Sequence, residues 1–137
     1  MTTADQEDNA VSYQIRGGVA VIALPARVEA VSVLALRSRS ERALVTGSRA
    51  IAIDLRATDH IDTPTLSELG AALHRISRHN PKLAVVGADL RIRWVLELCD
   101  IEGLQLHATM RVALAHLRGD RLLRAAGSRR PRGWRMA

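Results

Sequence analysis

Residues Ala50 to Ile76 read AIAIDLRATDHIDTPTLSELGAALHRI, and the fold turns on that stretch. Ile51, Ile53 and Leu55 form a short apolar run rich in β-branched residues, the pattern of a buried strand rather than a helix. Leu66, Leu69, Leu73 and Ile76 then recur at helical spacing, which places Ser67, Glu68, His74 and Arg75 on the opposite face. Strand gives way to helix within Asp62-Thr63-Pro64-Thr65. Proline disfavours the α conformation in the residue before it, so Thr63 is expected as an extended N-cap. Pro64 then suits the first helical position, where its missing N–H leaves nothing unpaired. Thr65 with Glu68 offers a second register, a capping box. Thr63 thus carries a hydroxyl at the positive end of a helix dipole. Residue type alone favours an ordinary cap; a phosphate there would add about −1.5 to −2 charges beside backbone donors that favour anions.

Working outward, Val11 to Arg16 (VSYQIR) is expected as a first strand, Gly17-Gly18 as a two-residue hairpin turn, and Val19 to Leu24 as a second, central strand ended by Pro25. Ala26 to Glu29 reads as a loop. Val31 to Thr46 reads as an amphipathic helix, with Val33, Leu34, Leu36 and Leu44 as its apolar residues, starting near Ser32 and stopped by Gly47. Arg37 and Glu41 stand four apart, in reach of one another. The helix that begins near Thr63 ends near Asn80-Pro81. Lys82 to Val86 is a further strand followed by a turn at Gly87. Asp89 caps a helix lined by Ile92, Val95, Leu96 and Cys99, Leu104 to His107 is a fifth strand, and Thr109 caps a helix with Val112, Ala113, Leu114 and Leu117. This alternation predicts an α/β domain: a mixed sheet of about five strands, an antiparallel N-terminal hairpin followed by β-α units, with helices packed on it.

Composition bounds the function. A chain of 137 residues suits one domain with one modest core. Phenylalanine is absent and the aromatics are Tyr13, Trp94 and Trp134, so that core is aliphatic. One cysteine, Cys99, makes no internal disulfide. The longest apolar run, Val19 to Ala26, is far too short to span a bilayer, and the polar, acidic start MTTADQEDNA lacks the pattern of a signal peptide, so a cytoplasmic location is expected. The net charge of +6 sits entirely in residues 118–137, where seven arginines face one acid, Asp120; residues 1–117 are balanced. The expected organisation is a flexible acidic N-terminus over 1–10, a domain over 11–117 and a basic tail over 118–137.

From Val11 to Leu117 the chain resembles a STAS domain of the anti-sigma factor antagonist family. Ile61-Asp62-Thr63-Pro64-Thr65-Leu66, following AIAIDL, is similar to that family's aspartate, serine, serine or threonine, glycine, leucine motif. Asp62 and Leu66 match directly, and Thr63 stands where the family carries its phosphorylatable hydroxyl. Val95-Leu96-Glu97-Leu98 and Glu29 are supporting matches. Pro64, Thr65 and Arg27 depart from the pattern, standing where the family has a second hydroxyl, a glycine and a glutamate. The resemblance implies a cytoplasmic bacterial regulator that binds a cognate anti-sigma factor of the serine protein kinase type and frees a sigma factor, with Thr63 as the candidate phosphorylation site. It implies a contact surface built from the Ala26 to Glu29 loop, the His60 to Thr65 turn and the exposed face of the following helix: Arg27, Glu29, His60, Asp62, Thr63, Thr65, Ser67 and Glu68.

Two readings stay beside it: an accessory STAS subunit of a membrane transport ATPase, where related domains carry aspartate-threonine at this turn, and a nucleic-acid-binding protein acting through the basic tail. Clustered arginine with one aromatic, Trp134, makes a solvated tail the better expectation and nucleic acid the weaker one. Asp120 to Gly127 has the cap, short apolar stripe and terminal glycine of one or two helical turns. No nucleophile-elbow or phosphate-loop motif is present, so no catalytic residue, small-molecule substrate or cofactor is assigned and a non-enzyme is expected. Asp59, His60 and Asp62 crowd one turn without a second cluster, so no metal site is assigned. His74 and His79 are expected to face solvent, and Cys99 to be a buried, inert thiol. Membrane insertion is not expected; a homodimer is left open.

Overall fold

In the computed structural model, residues 10–119 are described, and every strand and helix discussed below lies within them. In chain order they are β1 (Ser12–Arg16), β2 (Val19–Ala23), β3 (Arg27–Val28), α1 (Ala30–Val45), β4 (Ala50–Asp54), β5 (His60–Ile61), α2 (Thr63–Ser77), β6 (Lys82–Val86), α3 (Leu90–Leu98), β7 (Leu104–His107) and α4 (Met110–Arg118). The five longer strands form one sheet in the order β1-β2-β4-β6-β7. β1 and β2 are antiparallel, Arg16 facing Val19 across Gly17-Gly18, and the other pairs are parallel. The mixed five-stranded α/β architecture expected from the sequence is present.

Strands covered on both faces read as continuous apolar runs rather than as alternation. Successive side chains point to opposite faces, and the core divides accordingly. Ala20, Ile22, Ile51, Ile53, Leu83 and Val85 pack under α1, α2 and α3. Val19, Val21, Ala50, Ala52, Ala84 and Val86 pack under α4, through Met110, Ala113, Leu114 and Leu117. Leu66, Leu69 and Leu73 of α2 are fully buried, so the apolar stripe in the sequence is the face laid on the sheet.

Several boundaries and faces differ from expectation. Helix α1 starts at Ala30 rather than near Ser32, because Glu29 occupies the cap position and its N–H donates to Ser32 Oγ at 3.1 Å. Leu34 and Val112, expected on apolar faces, are exposed, since each helix turns a narrower stripe to the sheet than its apolar residues would fill. Cys99, expected to be buried, is half-buried: it ends α3 and sits over Gly70 of α2, where the missing side chain leaves room for its sulfur. Arg37 and Glu41 do not form an ion pair. The expected helical turns of Asp120 to Gly127, the rest of the basic tail and residues 1–9 lie outside the described residues. Helix α4 itself runs to Arg118 and is capped by Gly119 in the left-handed conformation.

The largest difference concerns two segments expected as loop and turn. Arg27–Val28 and His60–Ile61 form a second, two-stranded parallel sheet, Arg27 opposite His60 and Val28 opposite Ile61. Two residues per strand are too few to show a period, and their pairing joins segments distant in the chain; neither leaves a local signal.

Candidate functional site

Because β2, β4 and β6 run parallel, the segments that leave their C-terminal ends emerge at one edge of the sheet. Such an edge is where open α/β sheets place their working loops. The strand ladder is extended there by Leu24 N–H to Asp54 O at 3.0 Å and Leu55 N–H to Val86 O at 2.8 Å. Beyond that line the 55–62 segment folds against Pro25 and Ala26. Thr58 Oγ1 donates to Pro25 O at 2.9 Å, and the N–H groups of Asp59 and His60 donate to Ala26 O at 2.9 and 3.0 Å. Asp54 adds a local brace, accepting from Arg56 Nε and Nη2, each at 2.9 Å.

The β3–β5 pair fixes what this edge presents. Val28 and Ile61 are buried, so their neighbours Arg27 and His60 point outward side by side. The next residue, Asp62, caps α2. Its Oδ1 accepts the Thr65 N–H at 2.8 Å and its carbonyl accepts Leu66 N–H at 2.9 Å. The carboxyl is held below the ordinary aspartate value, first by the hydrogen bond from the Thr65 side chain, then by the Thr65 N–H, with the charges of His60 and Arg91 adding to it. The cap expected at Thr63 therefore belongs to Asp62. A charged carboxylate is the stronger acceptor for an orphan N–H, and Pro64 is tolerated in the first turn because an N–H there has no partner within the helix. The Thr65–Glu68 register is not used.

Thr63 is consequently the first residue of α2, exposed, with its hydroxyl not engaged as a cap. Arg27, Glu29, His60, Asp62, Ser67 and Glu68 are exposed as well, and the structure brings Arg27, His60, Asp62 and Thr63 onto one rim. Thr65 is the exception among the expected contact residues. It is only 8% exposed because its side chain turns back to Asp62, which makes it part of the cap and not of the surface. Sequence reading missed Arg91 of α3, whose Nη2 donates to the Ile61 carbonyl from across the edge. The available signal was a cation in the first turn of a helix, where the dipole disfavours it. His74 and His79 are exposed. Among the described residues, no group of three or more His, Cys, Asp or Glu side chains is placed to hold a metal ion, and no helix is long and apolar enough to cross a membrane.

A capped helix start beside a short parallel bridge, both at the C-terminal edge of a mixed sheet, presents polar side chains and the Thr63 hydroxyl together at the surface. The family model for the STAS domain matches residues 10–114. The chain belongs to the STAS domain family. Solved structures place this STAS domain among anti-sigma factor antagonists in fold. It is similar to an anti-sigma factor antagonist from Mycobacterium paratuberculosis, with 21% identity over 80% of this chain and 93% of that one and a TM-score of 0.62. It is similar to SpoIIAA in its unphosphorylated form, with 16% identity over 80% of this chain and 99% of that one and a TM-score of 0.63. The Bacillus cell fate determinant SpoIIAA in its phosphorylated form gives 14% identity over 80% and 100% and a TM-score of 0.63. No curated protein sequence matches this one.

Proposed function

We propose that this STAS domain is an anti-sigma factor antagonist that binds a cognate anti-sigma factor of the serine protein kinase type, and that phosphate on Thr63 ends the complex. The observation that carries the reading is the position of Thr63: exposed, first in a helix capped by Asp62, one residue beyond the bridge that sets Arg27 beside His60. A docking protein that covers this rim covers the Thr63 hydroxyl. A phosphate of about −1.5 to −2 charges at that point brings desolvation and repulsion that a neutral hydroxyl does not. The helix dipole meanwhile stabilises the phosphorylated chain on its own.

The polar rim is Arg27, Glu29, His60, Asp62, Ser67 and Glu68. Apolar area for the centre of an interface lies beside it on α1, where Val31 and Leu34 are 62% and 60% exposed. The structural neighbours include anti-sigma factor antagonists, and the reading here is binding rather than catalysis. Capture of bound proteins from the native cytoplasm, with mass spectrometry of the peptide containing Thr63, tests it. An anti-sigma kinase in the captured material and phosphate on Thr63 are the expected results; recovery of an ATP-binding transport subunit instead would replace this reading with the transport one.

A further inference from the structure

Arg91 is the second residue of α3, after the cap Asp89 and Leu90. The first turn of that helix holds no acid, and Asp89 already satisfies the Ile92 N–H at 2.8 Å. A cation gains nothing from a helix N-terminus, where the dipole opposes it by roughly 0.3–1 kcal/mol. The side chain instead reaches away from α3. Its Nη2 donates to the carbonyl of Ile61, the last residue of β5 and the one before the cap of α2. Its charge also favours the ionised form of the Asp62 carboxyl.

From Thr58 to Ile61, the other ties described above come from one side. Thr58 is tied to Pro25, Asp59 and His60 to Ala26, and β5 to β3. These hold the turn as far as Ile61 against the 25–28 segment. Arg91 supplies a tie from the opposite side, at the peptide that hands β5 over to α2. A guanidinium on a carbonyl is a charge-assisted bond, the stronger class of hydrogen bond.

We propose that Arg91 is a positioning residue: by holding the Ile61 carbonyl from α3, it sets the place and orientation of the Asp62 cap and so of Thr63 on the rim. The consequence for docking rests on the function proposed above; the positioning itself does not. Helix α3 thereby becomes mechanically connected to the rim, so that a change at α3 is felt at Thr63 without touching it.

The test uses the full chain, labelled with nitrogen-15, as wild type, Arg91→Met and Arg91→Lys. Methionine keeps much of the apolar stem but removes charge and donor; lysine returns both with poorer reach. In Arg91→Met the Thr65 N–H is expected to exchange with solvent about three- to tenfold faster, the size of effect that loss of an ordinary intramolecular hydrogen bond gives. Amides in β4 and β6 should be unchanged, and the Asp62 carboxyl should titrate nearer its ordinary value. Arg91→Lys should recover the Asp62 titration in greater part. Unchanged exchange at Thr65 in Arg91→Met overturns the proposal, as does a loss of protection spread evenly through the domain, which would make Arg91 a general stabiliser. These readouts need no partner. If the wild-type chain captures no anti-sigma factor while the Thr65 and Asp62 changes occur, docking fails and positioning stands; if capture succeeds and Arg91→Met leaves Thr65 unmoved, the reverse holds.

Discussion

Arg27 and His60 are direct neighbours across a two-residue parallel bridge, each with its inward-pointing partner, Val28 or Ile61, buried in the core. The core side of the bridge therefore fixes the outward side. On the function proposed above, charge at this rim acts on encounter rather than on folding. Reversing it with Arg27→Glu is expected to leave the thermal midpoint within a few degrees of wild type. It should slow association with the captured anti-sigma factor by about tenfold at low salt, with a smaller effect at high salt, as measured by surface plasmon resonance. Equal association rates for the two proteins at low salt would remove Arg27 from the contact surface.

Thr63 should separate two substitutions of similar size. Thr63→Ala removes a hydroxyl that caps nothing, so it is expected to bind the partner like wild type and to take no phosphate from the kinase. Thr63→Asp adds a charge at the same point and is expected to weaken binding by at least about tenfold, in line with the loss of one or more interface contacts to repulsion. Parallel behaviour of the two variants in a pull-down would end the idea of a phosphate switch at this residue.

Asp62 predicts a particular acid sensitivity. Its carboxyl is held below the ordinary value of 3.8 in the folded chain. A depressed carboxyl stabilises the fold fully above the value it has in the unfolded chain and loses that contribution as pH falls through the folded value. Urea midpoints measured from neutral pH downward should drop below about pH 3.8 more steeply for wild type than for Asp62→Asn, which keeps an acceptor for Thr65 but cannot titrate. Coincident pH profiles would show that Asp62 is not held in its ionised form.

Ser40 on α1 is fully buried, and its Oγ has no hydrogen-bond partner. Removing an unsatisfied buried hydroxyl relieves its desolvation penalty, so Ser40→Ala should be neutral or stabilising by up to about 1 kcal/mol in urea unfolding. Leu69→Ala, which empties a fully buried position on α2, should destabilise by about 2–5 kcal/mol in the same experiment. A clear loss of stability in Ser40→Ala would contradict the assignment of an unpaired hydroxyl.

Gly87 adopts a φ of +77°, and a Cβ there would lie 2.5 Å from Arg56 Cγ and 3.0 Å from Arg56 Cα. Its N–H also donates to His107 O at 2.9 Å, extending the β6–β7 pairing past the strand end. Gly87→Ala combines a left-handed backbone with a backbone clash and should destabilise by more than the roughly 1–2 kcal/mol of the conformation alone. Calorimetry showing an unchanged midpoint would contradict it.

What the sequence determined by itself was the set of elements whose signals are local. Ile51, Ile53 and Leu55 marked a buried strand, Leu66 to Ile76 a helix with one apolar face, and Asp89 and Thr109 the caps of the two later helices, because β-propensity, helical period and cap chemistry act within a few residues. The motif from Asp62 to Leu66 pointed to the family for the same reason. What only the tertiary structure decided was how the rim is put together. The pairing of Arg27 with His60 and the tie from Arg91 to Ile61 each join residues about thirty positions apart, by geometry rather than by spacing. Local free energies name the elements; the packing of distant segments selects which side chains reach the surface together.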